Sequence, residues 1–255
     1  MEKVTVRALK HLKSSGQKIC MLTAYDFPFA KILDEAGVDI VLVGDSLGNV
    51  ALGYKNTLPV TMPEMIIHTQ AVARGVKRAL VVADMPFGSY QENDDKAVAN
   101  AIQLVKAGAA AVKIEGTGYL SAIKKIIKAG IPVMGHLGFT PQSVNLLGAR
   151  YQGLETREAK RILADAKILE RAGCFALVLE LMPEKLAAKI TKAIKIPTIG
   201  IGAGGKTDGQ VLVTNDLLGL YENPPSFVKS KIDLRQVIRK TVKSFINDIR
   251  GDMPL

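Results

Sequence analysis

Five short apolar segments of the sequence each end in an ionisable residue, and this repeat constrains the fold more than any other feature. The first segment, VDIVLVGDSLG at residues 38–48, has a β-branched apolar run that stops at a glycine just before Asp45. Runs of this length and composition are typical of strands that are buried on both faces of a parallel sheet. The other four segments end at Asp84, Glu115, His136 and Glu180. Because parallel strands deliver functional side chains at their carboxyl ends, the repeat predicts one shared site.

The alternation of side chains predicts which residues share a face with these groups. With a period of two, Val41 and Val43 fall on the same face as Asp45, and Lys113 falls on the same face as Glu115. The small and branched members of each set are therefore expected to fill an interior that the polar member caps.

Helical segments alternate with the apolar segments along the chain. A short leading helix, Val6 to Lys13, follows Thr5 as its predicted N-cap, and seven clear strand–helix units come after it. The eighth unit is less regular, because residues 209–219 fit either a strand or a helical turn. The pattern predicts an α/β fold, a single (β/α)8 TIM barrel over residues 1–255, since no linker interrupts it. A doubly wound open sheet is the alternative, and it would spread the ionisable groups along a crevice.

Composition and charge argue against several classes of protein. The 255 residues are 48% hydrophobic and 23% charged, as in a globular protein with a sizeable core. The formal net charge is +10, but the lysines are spread over helical faces without clustered aromatics, so we expect no nucleic-acid partner. No apolar stretch approaches about 18 residues, and no membrane span is expected. The two cysteines, Cys20 and Cys174, lack CxxC spacing and are predicted to be buried, reduced thiols of a cytoplasmic protein.

Three carboxylates from successive predicted strands form a candidate metal site. Asp45, Asp84 and Glu115 would supply oxygen ligands, which suit Mg²⁺ or Mn²⁺ with water and substrate completing the shell. Each residue alone has a structural interpretation, because an aspartate at a strand end often caps the following turn. Three such residues on neighbouring strands favour the interpretation that they are metal ligands.

The remaining ionisable groups are candidates for substrate binding and proton transfer. Lys113 needs an anionic neighbour if it is buried, either Glu115 or a substrate carboxylate; a structural ion pair and a Schiff-base lysine are the alternatives. Glu180 is the candidate general base. His136 is expected either to donate a hydrogen bond to the substrate or to be structural. The glycine-rich residues 200–205 fit a phosphate cradle or a tight turn.

Eight motifs along the chain resemble, in their order, those of the ketopantoate hydroxymethyltransferase family. They are MLTAYD (21–26), LVGDSLG (42–48), ADMPFGSY (83–90), VKIEG (112–116), GHLGFTPQS (135–143), LVLE (177–180), IPTIGIGAG (196–204) and DGQVLV (208–213). The resemblance covers essentially the whole chain. Thr117, Ala149, Leu181 and Asn215 depart from the family pattern.

The resemblance implies a barrel of the phosphoenolpyruvate/pyruvate type and a role in pantothenate and coenzyme A biosynthesis. A hydroxymethyl group would pass from 5,10-methylenetetrahydrofolate to 3-methyl-2-oxobutanoate through a Mg²⁺-stabilised enolate, giving 2-dehydropantoate. It also implies a cytoplasmic homo-oligomer, often a decamer, with one Mg²⁺ per subunit.

The family's site residues carry over to matching positions of this sequence. The implied metal ligands are Asp45, Asp84 and Glu115. Together with the assignments made from the residues themselves, the predicted substrate contacts are Asp45, Ser46, Asp84, Lys113 and His136. Glu180 is the implied proton acceptor. The alternatives are another metal-dependent 2-oxo acid lyase or mutase of the same barrel type and, more remotely, a phosphate- or nucleic-acid-binding barrel.

Overall fold

The computed structural model describes residues 2–221 and 224–251. The chain divides into two compact units, residues 1–211 and residues 212–255. Among the described residues, no helix combines the length and apolar character that crossing a membrane requires. That the whole chain is one domain stays a prediction.

Eight parallel strands form a closed barrel in which the strands are ordered as they occur along the chain. The strands are Ile19–Thr23 (β1), Ile40–Val43 (β2), Leu80–Asp84 (β3), Ala111–Glu115 (β4), Val133–Gly138 (β5), Ala176–Glu180 (β6), Thr198–Ile201 (β7) and Gly209–Leu212 (β8). The closed barrel confirms the predicted fold class and excludes the open sheet. It also brings the carboxyl ends of all the strands to one mouth.

Helices follow most of the strands. The helices are Val6–Ser15 (α1), Phe27–Glu35 (α2), Leu47–Val50 (α3), Met62–Gly75 (α4), Asp94–Lys106 (α5), Leu120–Lys128 (α6), Val144–Leu147 (α7), Thr156–Ala172 (α8), Glu184–Ala193 (α9), Thr214–Leu217 (α10) and Leu234–Arg250 (α11), with a 3₁₀ turn at Pro141–Ser143. Local sequence fixes several of their starts. Thr61 and Glu64 form a capping box at α4, and Thr5 caps α1.

The interior of the barrel and the layer between strands and helices have separate apolar clusters. Ile40 and Leu42 of β2 belong to the interior cluster, whereas Val41 and Val43 pack in the outer layer. The predicted face for β2 was therefore wrong. The strand ends at Val43 and the chain turns at Asp45, so the period of two does not continue to that residue.

Helix α1 closes the amino-terminal end of the barrel. Leu9 is completely buried, and Leu12 packs against the interior cluster. Lys13 Nζ lies 2.8 Å from Asp208 Oδ2 and donates to the carbonyl oxygens of Thr191 and Ile196 at 3.0 Å. A capped, amphipathic first helix thus seals the end of the barrel that lies opposite the strand-end carboxylates.

The sequence of the eighth unit fits either a strand or a helical turn, and the structure contains both. Residues 209–212 form β8 and residues 214–217 form the short α10. The final helix, α11, has no buried residue.

The two cysteines differ in exposure. Cys174 is buried as predicted, but Cys20 is exposed, because β1 has an exposed position between its buried residues Ile19 and Met21. The prediction that both thiols are buried was therefore wrong for Cys20.

Candidate active site

The structure brings the sequence-predicted site residues together at the carboxyl ends of β2 to β6. Lys113 and Glu115 come from β4, and the register places Lys113 beside Asp84 and Glu115 beside His136 on the neighbouring strands. Glu180 is the last residue of β6, where its register partner is Gly138 of β5. The carboxylates, the lysine and the histidine from these strands therefore form one cluster.

Cationic and anionic side chains alternate through this cluster. Lys113 Nζ lies 2.9 Å from Asp84 Oδ1 and 3.9 Å from Glu115 Oε1. His136 then bridges two carboxylates, with Nδ1 3.2 Å from Glu115 Oε1 and Nε2 3.1 Å from Glu180 Oε2. The Glu180 side chain is 17% exposed, against 5% or less for the other four, so it is the member nearest to solvent.

Asp45 and Ser46 join the cluster from the turn after β2. The Asp45 backbone N–H donates to Asp84 Oδ2 at 3.0 Å, which ties this turn to the end of β3. Ser46 Oγ and the Tyr25 hydroxyl share a hydrogen bond of 2.8 Å. Asp45 is only 4% exposed. A turn, rather than strand geometry, delivers both side chains to the mouth.

Gln142 is a site residue for which the sequence predicted no role. Its side-chain amide donates to Asp45 Oδ2 at 2.9 Å, and its backbone N–H donates to Glu115 Oε2 at 3.0 Å. Gln142 lies in the motif GHLGFTPQS, but glutamine is uncharged and lies several residues beyond its strand. Only the path of the loop after β5 reveals its position.

The crowding of carboxylates in the site shifts the pKa values of Lys113 and Asp45. Burial lowers the pKa of Lys113, but Asp84, Glu115 and Asp45 outweigh it and raise that pKa above its ordinary value. Burial raises the pKa of Asp45 well above its ordinary value, and the charges of Asp84 and Glu115 raise it further. Lys113 is thus held as an ammonium ion in a site with an excess of negative charge.

The pair Glu115 and His136 is also held in its charged form. Burial and the Lys113 charge lower the pKa of His136, but its close contacts with the Glu115 and Glu180 carboxylates raise it to about 9. Burial raises the pKa of Glu115, but the close contact and the charge of His136 reverse this, so the pKa lies below its ordinary value. The two carboxylates therefore favour the protonated form of the imidazole.

The donor set fits a hard divalent cation. Asp84 Oδ1 and Glu115 Oε1 are buried oxygens without a hydrogen bond of acceptable geometry, although cations lie near both. Within the described part of the chain, no three His, Cys, Asp or Glu side chains are already arranged as a metal site. Mg²⁺ is commonly held by one or two carboxylates, with water and substrate as the other ligands, so the site does not need a complete protein shell.

Backbone geometry fixes the end of β6. Leu181, directly after Glu180, has φ of 44°, the one positive value among the described residues other than glycine. Its N–H donates to the carbonyl of Ile201 at 2.9 Å, and its own carbonyl accepts from Gln152 N–H at 2.8 Å. Such a conformation costs of order 1 kcal/mol and persists because the surrounding structure holds it.

The glycine-rich segment after β7 forms a tight turn. Gly202 and Gly204 have φ of 59° and 73°, and a Cβ on Gly204 would lie 2.4 Å from Glu184 Cγ. Of the two interpretations, the structure favours the turn.

A closed parallel barrel with its charged residues at the carboxyl ends of the strands is the architecture of (β/α)8 barrel enzymes. The chain is similar in fold to a phosphonopyruvate hydrolase solved in complex with oxalate and Mg²⁺ (TM-score 0.67, 14% identity, 99% of this chain and 89% of that one). It is also similar to a 2,3-dimethylmalate lyase of the phosphoenolpyruvate mutase/isocitrate lyase superfamily (TM-score 0.63, 13% identity, 100% and 90%). At such identities the likeness shows the fold alone.

The chain belongs to the ketopantoate hydroxymethyltransferase family, whose model matches residues 3–254. A 3-methyl-2-oxobutanoate hydroxymethyltransferase of Carboxydothermus hydrogenoformans is 53% identical over 98% of this chain and 92% of the relative. One of Ignicoccus hospitalis is 51% identical over 100% and 98%. The family prediction is confirmed: the chain is an enzyme that transfers a hydroxymethyl group to a small 2-oxo acid in pantothenate biosynthesis.

Proposed function

We propose that 3-methyl-2-oxobutanoate binds at the carboxyl ends of β2 to β6 and receives its hydroxymethyl group there from 5,10-methylenetetrahydrofolate. The observation that carries this proposal is the continuous series of ionic contacts from Asp84 through Lys113, Glu115 and His136 to Glu180. This series supports the proposal because the candidate metal-binding, anion-binding and proton-accepting groups lie close together in it.

Asp45 and Asp84 would hold one Mg²⁺ per subunit, and Glu115 would complete the metal shell. The support is their shared location, the excess of carboxylate and the two oxygens that lack hydrogen bonds. When bound, the cation would stabilise the negative charge that develops on the 2-oxo acid as C3 loses its proton.

Lys113, Ser46 and His136 would fix the substrate. The Lys113 ammonium and the Ser46 hydroxyl suit the carboxylate of the 2-oxo acid, and a His136 N–H would donate to a substrate oxygen that replaces one of its two carboxylate contacts. Because its carboxylate neighbours stabilise the ammonium form, Lys113 is poorly suited to act as a nucleophilic amine. The Schiff-base alternative is therefore disfavoured.

Glu180 would accept the C3 proton. It is the most exposed carboxylate of the ion-pair series and lies at the opening, where substrate enters. Its contact with His136 orients the carboxylate, and because the Glu180 side chain is 17% exposed, the proton can pass from it to solvent. Holding C3 near this oxygen while the folate approaches is the positioning contribution of the barrel mouth.

Exchange of the C3 hydrogen in D₂O tests the proposal. With Mg²⁺ and 3-methyl-2-oxobutanoate but no folate, NMR should show deuterium entering C3, and 2-dehydropantoate should form only when the folate is added. Asp84→Ala should abolish both reactions. If the C3 hydrogen exchanges but no 2-dehydropantoate forms when the folate is present, the lyase or mutase alternative is favoured. If Asp84→Ala leaves the exchange rate unchanged, the proposed metal site is contradicted.

Two further properties belong to this proposal. The chain is proposed to be a homo-oligomer, often a decamer in this family, and the exposed apolar side chains of α11 supply a surface that a second copy would cover. The proposed compartment is the cytoplasm, to which a pathway leading to coenzyme A belongs.

A further inference from the structure

Gln142 connects two carboxylates that come from different parts of the barrel. It lies in the 3₁₀ turn Pro141–Ser143 after β5 and is 6% exposed. From there its side chain reaches Asp45 in the turn after β2, and its backbone reaches Glu115 at the end of β4. The loop after β5 therefore folds back over the mouth and contacts two of the three predicted metal ligands.

Every polar atom of the Gln142 side chain has a partner of the right kind. Nε2 donates to Asp45 Oδ2 and to the carbonyl oxygen of Met85, both at 2.9 Å. Oε1 accepts from the Tyr90 hydroxyl at 2.6 Å and from Gln91 Nε2 at 3.2 Å. A reversed amide would place its oxygen against the Asp45 carboxylate and its nitrogen against two donors. The partners therefore fix the orientation.

Asp45 needs such support more than the other carboxylates do. Asp84 and Glu115 end strands whose backbones are fixed by the barrel, whereas Asp45 lies in a turn beyond the end of β2. A neutral amide can hold a carboxyl group in place without adding a cation that competes with a metal ion for it. Lys113 and His136 already pair with Asp84 and Glu115 but not with Asp45 at ion-pair distance.

We infer that Gln142 is a positioning residue, which holds Asp45 and Glu115 at the separation required to bind the divalent cation. The inference rests on the proposed function, since it concerns the same metal site. Partners that orient metal ligands typically contribute about 10- to 100-fold to metal affinity or activity. Loss of the Gln142 amide should therefore weaken cation binding directly, not only slow the reaction.

The test compares Gln142→Leu with the wild-type protein, using Mn²⁺ as the probe and electron paramagnetic resonance to measure its Kd without substrate. We expect Kd to rise about 10- to 100-fold and kcat at saturating metal to fall by a similar factor. The KM for the 2-oxo acid should change less. The Gln142→Asn variant serves as a second test if the leucine variant does not fold. It keeps an amide, but its side chain is one methylene shorter and cannot reach the Asp45 carboxylate.

The matched control is Gln152→Leu. Gln152 is a buried glutamine of the same loop, and its amide donates to the carbonyl oxygen of Arg150. The Gln152→Leu variant should bind Mn²⁺ with the same affinity as the wild-type protein. A Gln142 variant that lowers the melting temperature but keeps the wild-type Kd would show a merely structural role and overturn the inference. Wild-type protein that binds no Mn²⁺ would instead overturn the proposed metal site itself.

Discussion

Individual charged residues of the site are held in position by partners of opposite charge, and this pairing separates their roles. Lys113 is enclosed between Asp84 and Glu115 with 5% of its side chain exposed, which suits the binding of a substrate anion. Glu180 contacts only one of the site's cations within the described ion pairs and lies nearer to solvent. A carboxylate that is oriented but still accessible is suited to receive a proton from substrate.

Glu180→Gln removes the proposed proton acceptor and keeps the size of the side chain. We expect kcat to fall by about 10²- to 10⁴-fold, with a smaller change in the KM for the 2-oxo acid. The C3 exchange in D₂O should fall by the same factor, because it reports the proton-removal step alone. Glu184→Gln, a nearby exposed carboxylate at the start of α9, is the control and should be close to wild type. Wild-type exchange in Glu180→Gln would assign the base elsewhere.

The end of β5 shows how one strand sets the position of the next. Gly138 has φ of 97°, and a Cβ at this position would lie 2.1 Å from the carbonyl oxygen of Glu180. Phe139 N–H donates to that same oxygen at 2.9 Å. The close approach of β5 and β6 at the mouth therefore depends on the missing side chain, and it determines where Glu180 leaves its strand.

Gly138→Ala should separate β5 and β6 at this point. We expect destabilisation of about 1–3 kcal/mol and a loss of kcat greater than the loss of stability explains. Gly130→Ala is a matched control, because Gly130 also has positive φ, at 86°, but has nothing within 4 Å of an added Cβ. It carries the same backbone cost without the clash. Equal activity and stability of the two variants would contradict the role of the close approach.

Asp34 joins the end of α2 to the chain that enters β3. Its carboxylate accepts hydrogen bonds from the backbone N–H groups of Lys77, Arg78 and Ala79, at 2.7–3.1 Å. Burial raises the pKa of Asp34, but these donors and the Arg78 charge outweigh it, so the pKa lies below its ordinary value. A lowered folded-state pKa means that the stabilisation is present above the unfolded-state pKa and is lost as pH falls through the folded-state pKa.

Asp34→Asn should therefore lower the free energy of unfolding by about 1–3 kcal/mol at neutral pH. The difference from wild type should shrink at an acidic pH, below the ordinary pKa of aspartate, because the native carboxylate then begins to protonate. Urea unfolding at the two pH values measures both quantities. Asp95→Asn is the control, since the Asp95 side chain is 92% exposed. A difference that does not change with pH would show that charge is not the source of the stabilisation.

At the scale of the whole molecule, we propose that the oligomer forms through the surface of α11. Apolar side chains along one face of this helix are about half exposed, among them Val242 (50%), Phe245 (54%) and Ile249 (50%). Contiguous apolar surface of this kind usually marks a protein interface. The prediction is that a second copy of the chain covers it.

Light scattering after size-exclusion chromatography should give a mass that is a multiple of 27.4 kDa. Phe245→Asp with Ile249→Asp should shift this mass towards that of the monomer, because burying two carboxylates at an interface is unfavourable. Ser244→Asp with Asn247→Asp places the same charges on the opposite side of α11 and should leave the mass unchanged. A wild-type monomer, or equal masses for all three proteins, would contradict the prediction.

Much of the candidate site could be predicted because β3, β4 and β6 end at candidate site residues. In these strands the period of two continues to the last residue, so Asp84, Lys113, Glu115 and Glu180 follow from local sequence once a barrel is assumed. The barrel itself follows from repeated strand–helix units. The exact contacts do not follow, because distances between strands depend on register and closure.

The sequence by itself determined the order of the strands and helices, the helix caps and the charged residues at the strand ends, since each depends on neighbours along the chain. Tertiary structure alone decided that Asp45 reaches the site from a turn, that Gln142 folds back to hold it, and that Cys20 is exposed. The physical reason is that these outcomes depend on packing and hydrogen bonds between residues far apart in sequence. Local periodicity and residue type contain no information about such contacts.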